Sequence, residues 1–242
     1  IVTAGADFDL TGTGYAPEGA VTAREGVAPP PLALLHAALL CGDAALVQGA
    51  QGWTVSGDPM EGALVAGAMK AGLDPAAEAA AWPRLGVIPF DAAHRFMAVA
   101  VRTPDGAARV FVKGAPEAVI AMAAHVAGPD GLLPLDPAAW TERIEALARD
   151  GQRVLAVAEG PAPEGELAPD ALPGRLVLLG LVGLIDPPRD EAIASVADCR
   201  AAGIRVKMIT GDHAATARAI GRQLGLHNAD TVLTGADLDR LD

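Results

Sequence analysis

The chain has 242 residues, 51% of them hydrophobic but only 3% aromatic, and a formal net charge of −12. That length fits one large domain or two smaller ones, each able to bury a core. The acidic balance speaks against a nucleic-acid surface, which needs clustered Lys and Arg, and no apolar run reaches the roughly 20 residues of a membrane-spanning helix.

Residues 1 to 31 alternate apolar positions with Gly and Pro and read as strand, turn and strand, ended by Pro29-Pro30-Pro31. Apolar residues then fill a helical stripe from Leu32 to Leu46, followed by a polar turn over Gln48 to Gly52. Asp58 has the chemistry of an N-cap, Pro59 fits the first helical position, and the helix running to Ala71 stops at Gly72. Three strand-like runs follow, Arg84 to Phe90, Phe96 to Arg102 and Ala108 to Val112, the last two joined by the turn Thr103-Pro104-Asp105-Gly106. Helices are predicted at Pro116 to Ala124 and Pro137 to Asp150, a strand at Arg153 to Ala158, and an exposed loop over Gly160 to Gly174. Hairpin-joined strands imply a largely antiparallel sheet with helices packed on it, an α+β arrangement.

Beyond Arg175 the pattern changes. Strand (Leu176 to Ile185), helix (Asp190 to Ala202), strand (Ile204 to Ile209), helix (Ala214 to Leu224) and strand (Thr231 to Thr234) alternate as in a parallel βαβ sheet. The expected division is therefore an α+β domain over residues 1–184 and an α/β, Rossmann-like segment over 185–242. Cys41 and Cys199 lie far apart without a CxxC spacing, as expected of buried thiols in a reducing compartment. Ile1 is not a start methionine, which reads as a fragment boundary.

Five short motifs stand in order along this framework: GDPMEGA (Gly57 to Ala63), PFDAAHRFM (Pro89 to Met97), KGAPE (Lys113 to Glu117), DPPR (Asp186 to Arg189) and MITGDH (Met208 to His213). In this order the chain resembles a P-type ATPase, of the type II, calcium-pump-like branch. The resemblance implies a nucleotide-binding domain followed by the first part of a haloacid-dehalogenase-like phosphorylation domain. It also implies ATP as ligand, Mg²⁺ in the intact pump, and a cytoplasmic position in an integral membrane protein. The expected partners are ATP or ADP and the phosphorylation, actuator and transmembrane domains of the same pump, with no nucleic acid.

Carried over residue by residue, the resemblance gives Phe90 the stacking contact with adenine, Lys113 the wall of the base pocket, Gly114 a close backbone approach, Glu61 a contact to the adenine amino group, and Arg153 a reach toward the phosphates. From the residues alone, Phe90 also fits a core position, Arg153 a solvent-facing one, and Asp58 a simple cap. Met60 stands where the family usually has Thr, and Ala92 where some members have a phosphate-contacting arginine, with Arg95 as the candidate replacement. Thr210, Gly211 and Asp212 follow an apolar run and precede a helix, where ligands sit in open α/β sheets; the resemblance makes them phosphoryl- and nucleotide-contacting in the intact pump. The family's DKTGT and GDGxND signatures are not in these residues, so the chain by itself is expected to be catalytically inactive. A stand-alone nucleotide-binding module and a haloacid-dehalogenase-like phosphatase are the alternative readings, and the five histidines show no metal-ligand spacing.

Overall fold

In a computed structural model, the described residues are 1–12, 14–50, 52–186, 188–210, 214–234, 237 and 240. The chain divides into two compact units, Ile1–Ala139 with Leu155–Val182, and Trp140–Val154 with Gly183–Asp242.

The first unit begins with a small antiparallel ribbon, β1 (Phe8–Leu10) and β2 (Val21–Ala23). Helix α1 (Leu32–Leu40) starts directly after Pro31, as the proline triplet predicts, but ends six residues before Leu46. The apolar run continues as β3 (Ala45–Gly49), which pairs antiparallel with β4 (Gly52–Ser56). Cys41, Gly42 and Asp43 break the helix, and the residues beyond them are half-buried only at alternate positions, a strand period rather than a helical one. Helix α2 (Pro59–Lys70) is capped as expected, with the Asp58 carboxylate accepting from the amides of Met60 (2.8 Å) and Glu61 (3.1 Å). A short helix that the alanine-rich sequence did not announce, α3 (Pro75–Ala81), follows under an Asp74 cap.

The principal sheet has seven strands: β5 (Arg84–Ile88), β6 (Phe96–Arg102), β7 (Ala108–Gly114), β8 (Ala123–Gly128), β9 (Gly131–Pro134), β10 (Arg153–Pro161) and β11 (Leu176–Leu184). Their spatial order is β5-β6-β7-β10-β11-β8-β9. Helix α4 (Pro116–Met122) connects β7 to β8 and packs on β7, while α1 packs on β7 and on α2. The sheet is mixed rather than antiparallel throughout. The exception is β8, which pairs parallel with β11; it enters the sheet from a helix instead of a hairpin and comes to lie beside a strand far along the chain. The helix predicted over Pro116 to Ala124 ends two residues earlier, at Met122, since Ala123 and Ala124 suit helix and strand alike and here open β8. β11 is apolar at nearly every position because it is an interior strand of this sheet. The core lies where β6 and β7 meet α1: Val99, Val110, Phe111 and Val112 are fully buried.

The second unit carries α5 (Pro137–Arg149) from Trp140 onward, α6 (Asp190–Ala201) and α7 (Ala214–Gln223). Both of the last two helices match the predicted positions. The predicted strands do not form: residues 204–209 and 231–234 are extended or irregular and pair with no other strand, so the expected parallel βαβ ladder is not built among the described residues. An apolar run becomes a strand only if a neighbour accepts its backbone hydrogen bonds; without one, Ile204 and Ile209 lie exposed, Ile209 at 98%. Within this unit Arg222 pairs with Asp230, and Arg200 donates to the Gly225 carbonyl at 2.8 Å.

Candidate functional site

Lys113 is the natural starting point, because it is a lysine only 6% exposed on an interior strand. Its neighbours in register are Met97 on β6 and Val157 on β10, so the residue has a strand on each side near the end of β7. A buried ammonium is costly unless paired. Its Nζ donates to Glu61 Oε1 at 2.6 Å, in a pair whose side chains are 8% and 17% exposed.

The other oxygen of the same carboxylate is also engaged. Glu61 Oε2 accepts from the backbone amides of Asp43 (2.7 Å) and Ala44 (3.0 Å), in the loop where α1 ends. Asp58 and Glu61 have the spacing of a capping box, in which the glutamate would turn back to the amide of the cap residue. Here the carboxylate is diverted to Lys113 and the loop, so α2 has one half of the box and the site has the other. Gly42 makes this packing possible: a Cβ there would lie 2.9 Å from Lys113 Nζ and 3.5 Å from Glu61 Oε2. Beside it, the Cys41 thiol is fully buried and donates to the carbonyls of Phe111 (3.4 Å) and Met97 (3.5 Å). Burial pushes that thiol up to about 11, against the opposing pull of the nearby Lys113 charge.

Of the two phenylalanines in PFDAAHRFM, Phe96 is core and packs against the tilted ring of His94 at 4.5 Å between centroids, whereas Phe90 is 64% exposed. Phe90 stands two residues beyond Ile88, which pairs with Ala98 on β6; Phe96 in turn faces Gly114, and Met97 faces Lys113. The exposed ring and the buried ion pair therefore belong to the same end of three adjacent strands. Gly114 has a packing reason of its own, since a Cβ would lie 2.5 Å from the Arg95 carbonyl oxygen and 2.6 Å from Phe96 Cα. Arg95 holds a left-handed backbone (φ 60°) in the turn before β6, and its guanidinium pairs with the Glu117 carboxylate.

Arg153 is an exposed residue at the start of β10 and lies in the second unit. Thr210 is exposed in that unit as well, and Gly211 and Asp212 lie outside the described residues. Thus Glu61 and Lys113 are in contact, Phe90, Arg95 and Gly114 stand at the same sheet end, and Arg153 and Thr210 are not part of that unit. Sequence reasoning missed Gly42 and the Asp43 and Ala44 amides, which belong to no motif; the break in the Leu32–Leu46 run at Cys41-Gly42-Asp43 was the available signal.

Two cavities of the first unit, about 500 Å³ beside Trp82 and Arg109 and about 700 Å³ bordered by Trp53, Met69 and Trp82, are lined by none of Glu61, Phe90 or Lys113. Among the described residues no group of three His, Cys, Asp or Glu side chains suits a metal ion, and no helix is long and apolar enough to cross a membrane.

Comparison with known proteins agrees with the five motifs. The chain is 41% identical to the "Probable cation-transporting ATPase F" of Mycobacterium tuberculosis (strain ATCC 25618 / H37Rv), over 97% of its own length and 27% of the relative's. It is 38% identical to "Cation-transporting ATPase pma1" of Synechocystis sp. (strain ATCC 27184 / PCC 6803 / Kazusa), over 93% and 26%, and 33% identical to the "Calcium-transporting ATPase" of Bacillus subtilis (strain 168), over 92% and 26%. The chain thus spans about a quarter of the length of these relatives. The family described as "P-type ATPase, cytoplasmic domain N" matches residues 32–191, a range holding Glu61, Phe90 and Lys113 and the greater part of the chain, and the chain belongs to that family.

Proposed function

We propose that this chain is the ATP-binding part of a cation-transporting P-type ATPase, with residues 1–184 as the nucleotide-binding domain and 185–242 as the first segment of its phosphorylation domain. The single observation that supports the binding reading best is the exposed Phe90 ring at the same sheet end as the buried Lys113–Glu61 pair. A large aromatic left in water has a face free for stacking, and adenine offers a flat face to it. Lys113 and Glu61 then present a donor and an acceptor held in fixed places, which suits the hydrogen-bonding edge of a base. Arg95 is the candidate phosphate contact at this sheet end, and Gly114 keeps the strand end narrow.

In the intact pump, the nucleotide held here would deliver its terminal phosphoryl group to an aspartate elsewhere in the protein, with Thr210, Gly211 and Asp212 lining the receiving site. No group of three His, Cys, Asp or Glu side chains that could hold a metal ion is found among the described residues, and the binding reading does not depend on one. The other domains of the pump are the partners, and the cation is chosen outside these residues.

Calorimetric titration with ATP and ADP tests the proposal. Phe90→Ala is expected to weaken binding roughly tenfold or more, because stacking on an aromatic supplies about 1–3 kcal/mol. An affinity unchanged by Phe90→Ala in a folded protein would remove the assignment.

A further inference from the structure

We infer that Arg84 is a positioning residue for the nucleotide pocket: it touches neither Glu61 nor Lys113, but it fixes the loop that fixes Glu61. The inference rests on the nucleotide-binding reading for its consequence and on geometry for its content. Leu40 is the last residue of α1, and the final carbonyls of a helix have no partner within it. Arg84, on β5, supplies that partner from outside. Its Nη2 donates to the Leu40 carbonyl at 3.3 Å and to the Gly42 carbonyl, and its Nη1 donates to the Asp43 carboxylate at 2.6 Å. Three acceptors within four residues are thus gathered by one planar cation.

The same short loop is used from its other side. Its amides at Asp43 and Ala44 hold Glu61 Oε2, and Glu61 Oε1 holds Lys113. Carbonyls face Arg84 and amides face Glu61, so the loop is a fixed spacer between a cation and a carboxylate. Gly42 packs close to Lys113 Nζ, leaving little freedom in that direction. Loss of Arg84 would return the carbonyls to water and let the amides rotate away from Glu61. The Arg84–Asp43 ion pair is too exposed, at 41% and 64%, to matter much as a charge interaction. What the guanidinium contributes is a rigid fork of donors, and a lysine at the same place would keep the charge without the fork.

This difference separates positioning from simple attraction of phosphates. In the 242-residue chain without nucleotide, hydrogen exchange is measured at the Asp43, Ala44 and Val112 amides for the wild type, Arg84→Lys and Arg84→Met. Protection at Asp43 and Ala44 is expected to fall by about tenfold in both variants, as for a local opening made easier, while Val112 is unchanged. ADP affinity is then expected to fall about three- to tenfold in both, the size of one ordinary hydrogen bond, and Arg84→Met is expected to add nothing in a Glu61→Ala background. Unchanged protection at Asp43 and Ala44 overturns the inference. So does wild-type behaviour in Arg84→Lys, or an Arg84 effect that persists in full without Glu61. If the wild type binds no ADP, the functional reading fails by itself, and the exchange measurement alone decides whether Arg84 clamps the loop.

Discussion

At Lys113 and Glu61 the energetics of the site and of the fold meet. Removing one member of a buried pair strands the other, and Glu61→Ala would also leave the Asp43 and Ala44 amides without their acceptor. Glu61→Ala is therefore expected to destabilise the first unit by about 3 kcal/mol, toward the lower end of the range for broken buried pairs because Glu61 keeps some solvent contact. The denaturant midpoint checks it. Phe90→Ala, by contrast, is expected to change stability by less than about 0.5 kcal/mol, since the ring is mostly exposed. Cys41 gives a pH signature. Its thiol is raised from 9.0 to about 11 in the folded chain, so between those values the folded state holds a proton that the unfolded state has lost. The contribution is fully present below pH 9, declines as pH rises toward 11, and is on the order of 2 kcal/mol. Urea unfolding at pH 8 and pH 10.5 should show this loss in the wild type and a smaller one in Cys41→Ala. Of these residues, Glu61, Phe90 and Lys113 were legible because motifs carry them. Gly42 and Arg84 were not, because their importance lies in a backbone carbonyl and a missing Cβ, which no side-chain pattern records.

Among the elements, α2 shows how much local chemistry was readable. Asp58 and Pro59 open it as the capping rules demand, and Asp58→Ala is expected to cost about 1 kcal/mol, seen as a lower thermal midpoint. That substitution also loosens the first turn, which carries Glu61, so it should weaken nucleotide binding without touching the ligand. The three strands from Arg84 to Gly114 were legible for a similar reason, since their turns and β-branched runs act locally. What escaped the sequence depends on distant partners. β8 pairs with the next strand, β9, but is joined to the rest of the sheet by β11, some fifty residues later, and residues 204–209 pair with no strand among the described residues. Alanine hides the rest: α3 and the start of β8 are rich in a residue that buries little and marks no face.

On the scale of the whole molecule, the two units should differ in stability. The first holds most of a seven-stranded sheet with a fully buried centre, and in the second residues 204–209 and 231–234 join no ladder among the described residues. Hydrogen exchange is expected to be slow at Val110 and Val112 and close to the unfolded rate from Val206 to Ile209. Equal protection of the two stretches would contradict it. Incubation with labelled ATP and Mg²⁺ is expected to leave the 242-residue chain unlabelled, because the DKTGT and GDGxND signatures are not in its sequence. An acid-stable, hydroxylamine-sensitive label would show otherwise. The strand order has a further consequence, in time rather than in space. Lys113 lies on β7, whose second neighbour, β10, follows only after α4, β8, β9 and α5 have passed. During synthesis Glu61 emerges first, then Lys113, and β7 stays an open edge until residues 153–161 arrive. Non-local pairings of this kind close late. In a refolding experiment nucleotide affinity should thus return with the docking of β10 rather than with the earlier β6–β7 hairpin, making ligand capture a clock for the completion of the sheet.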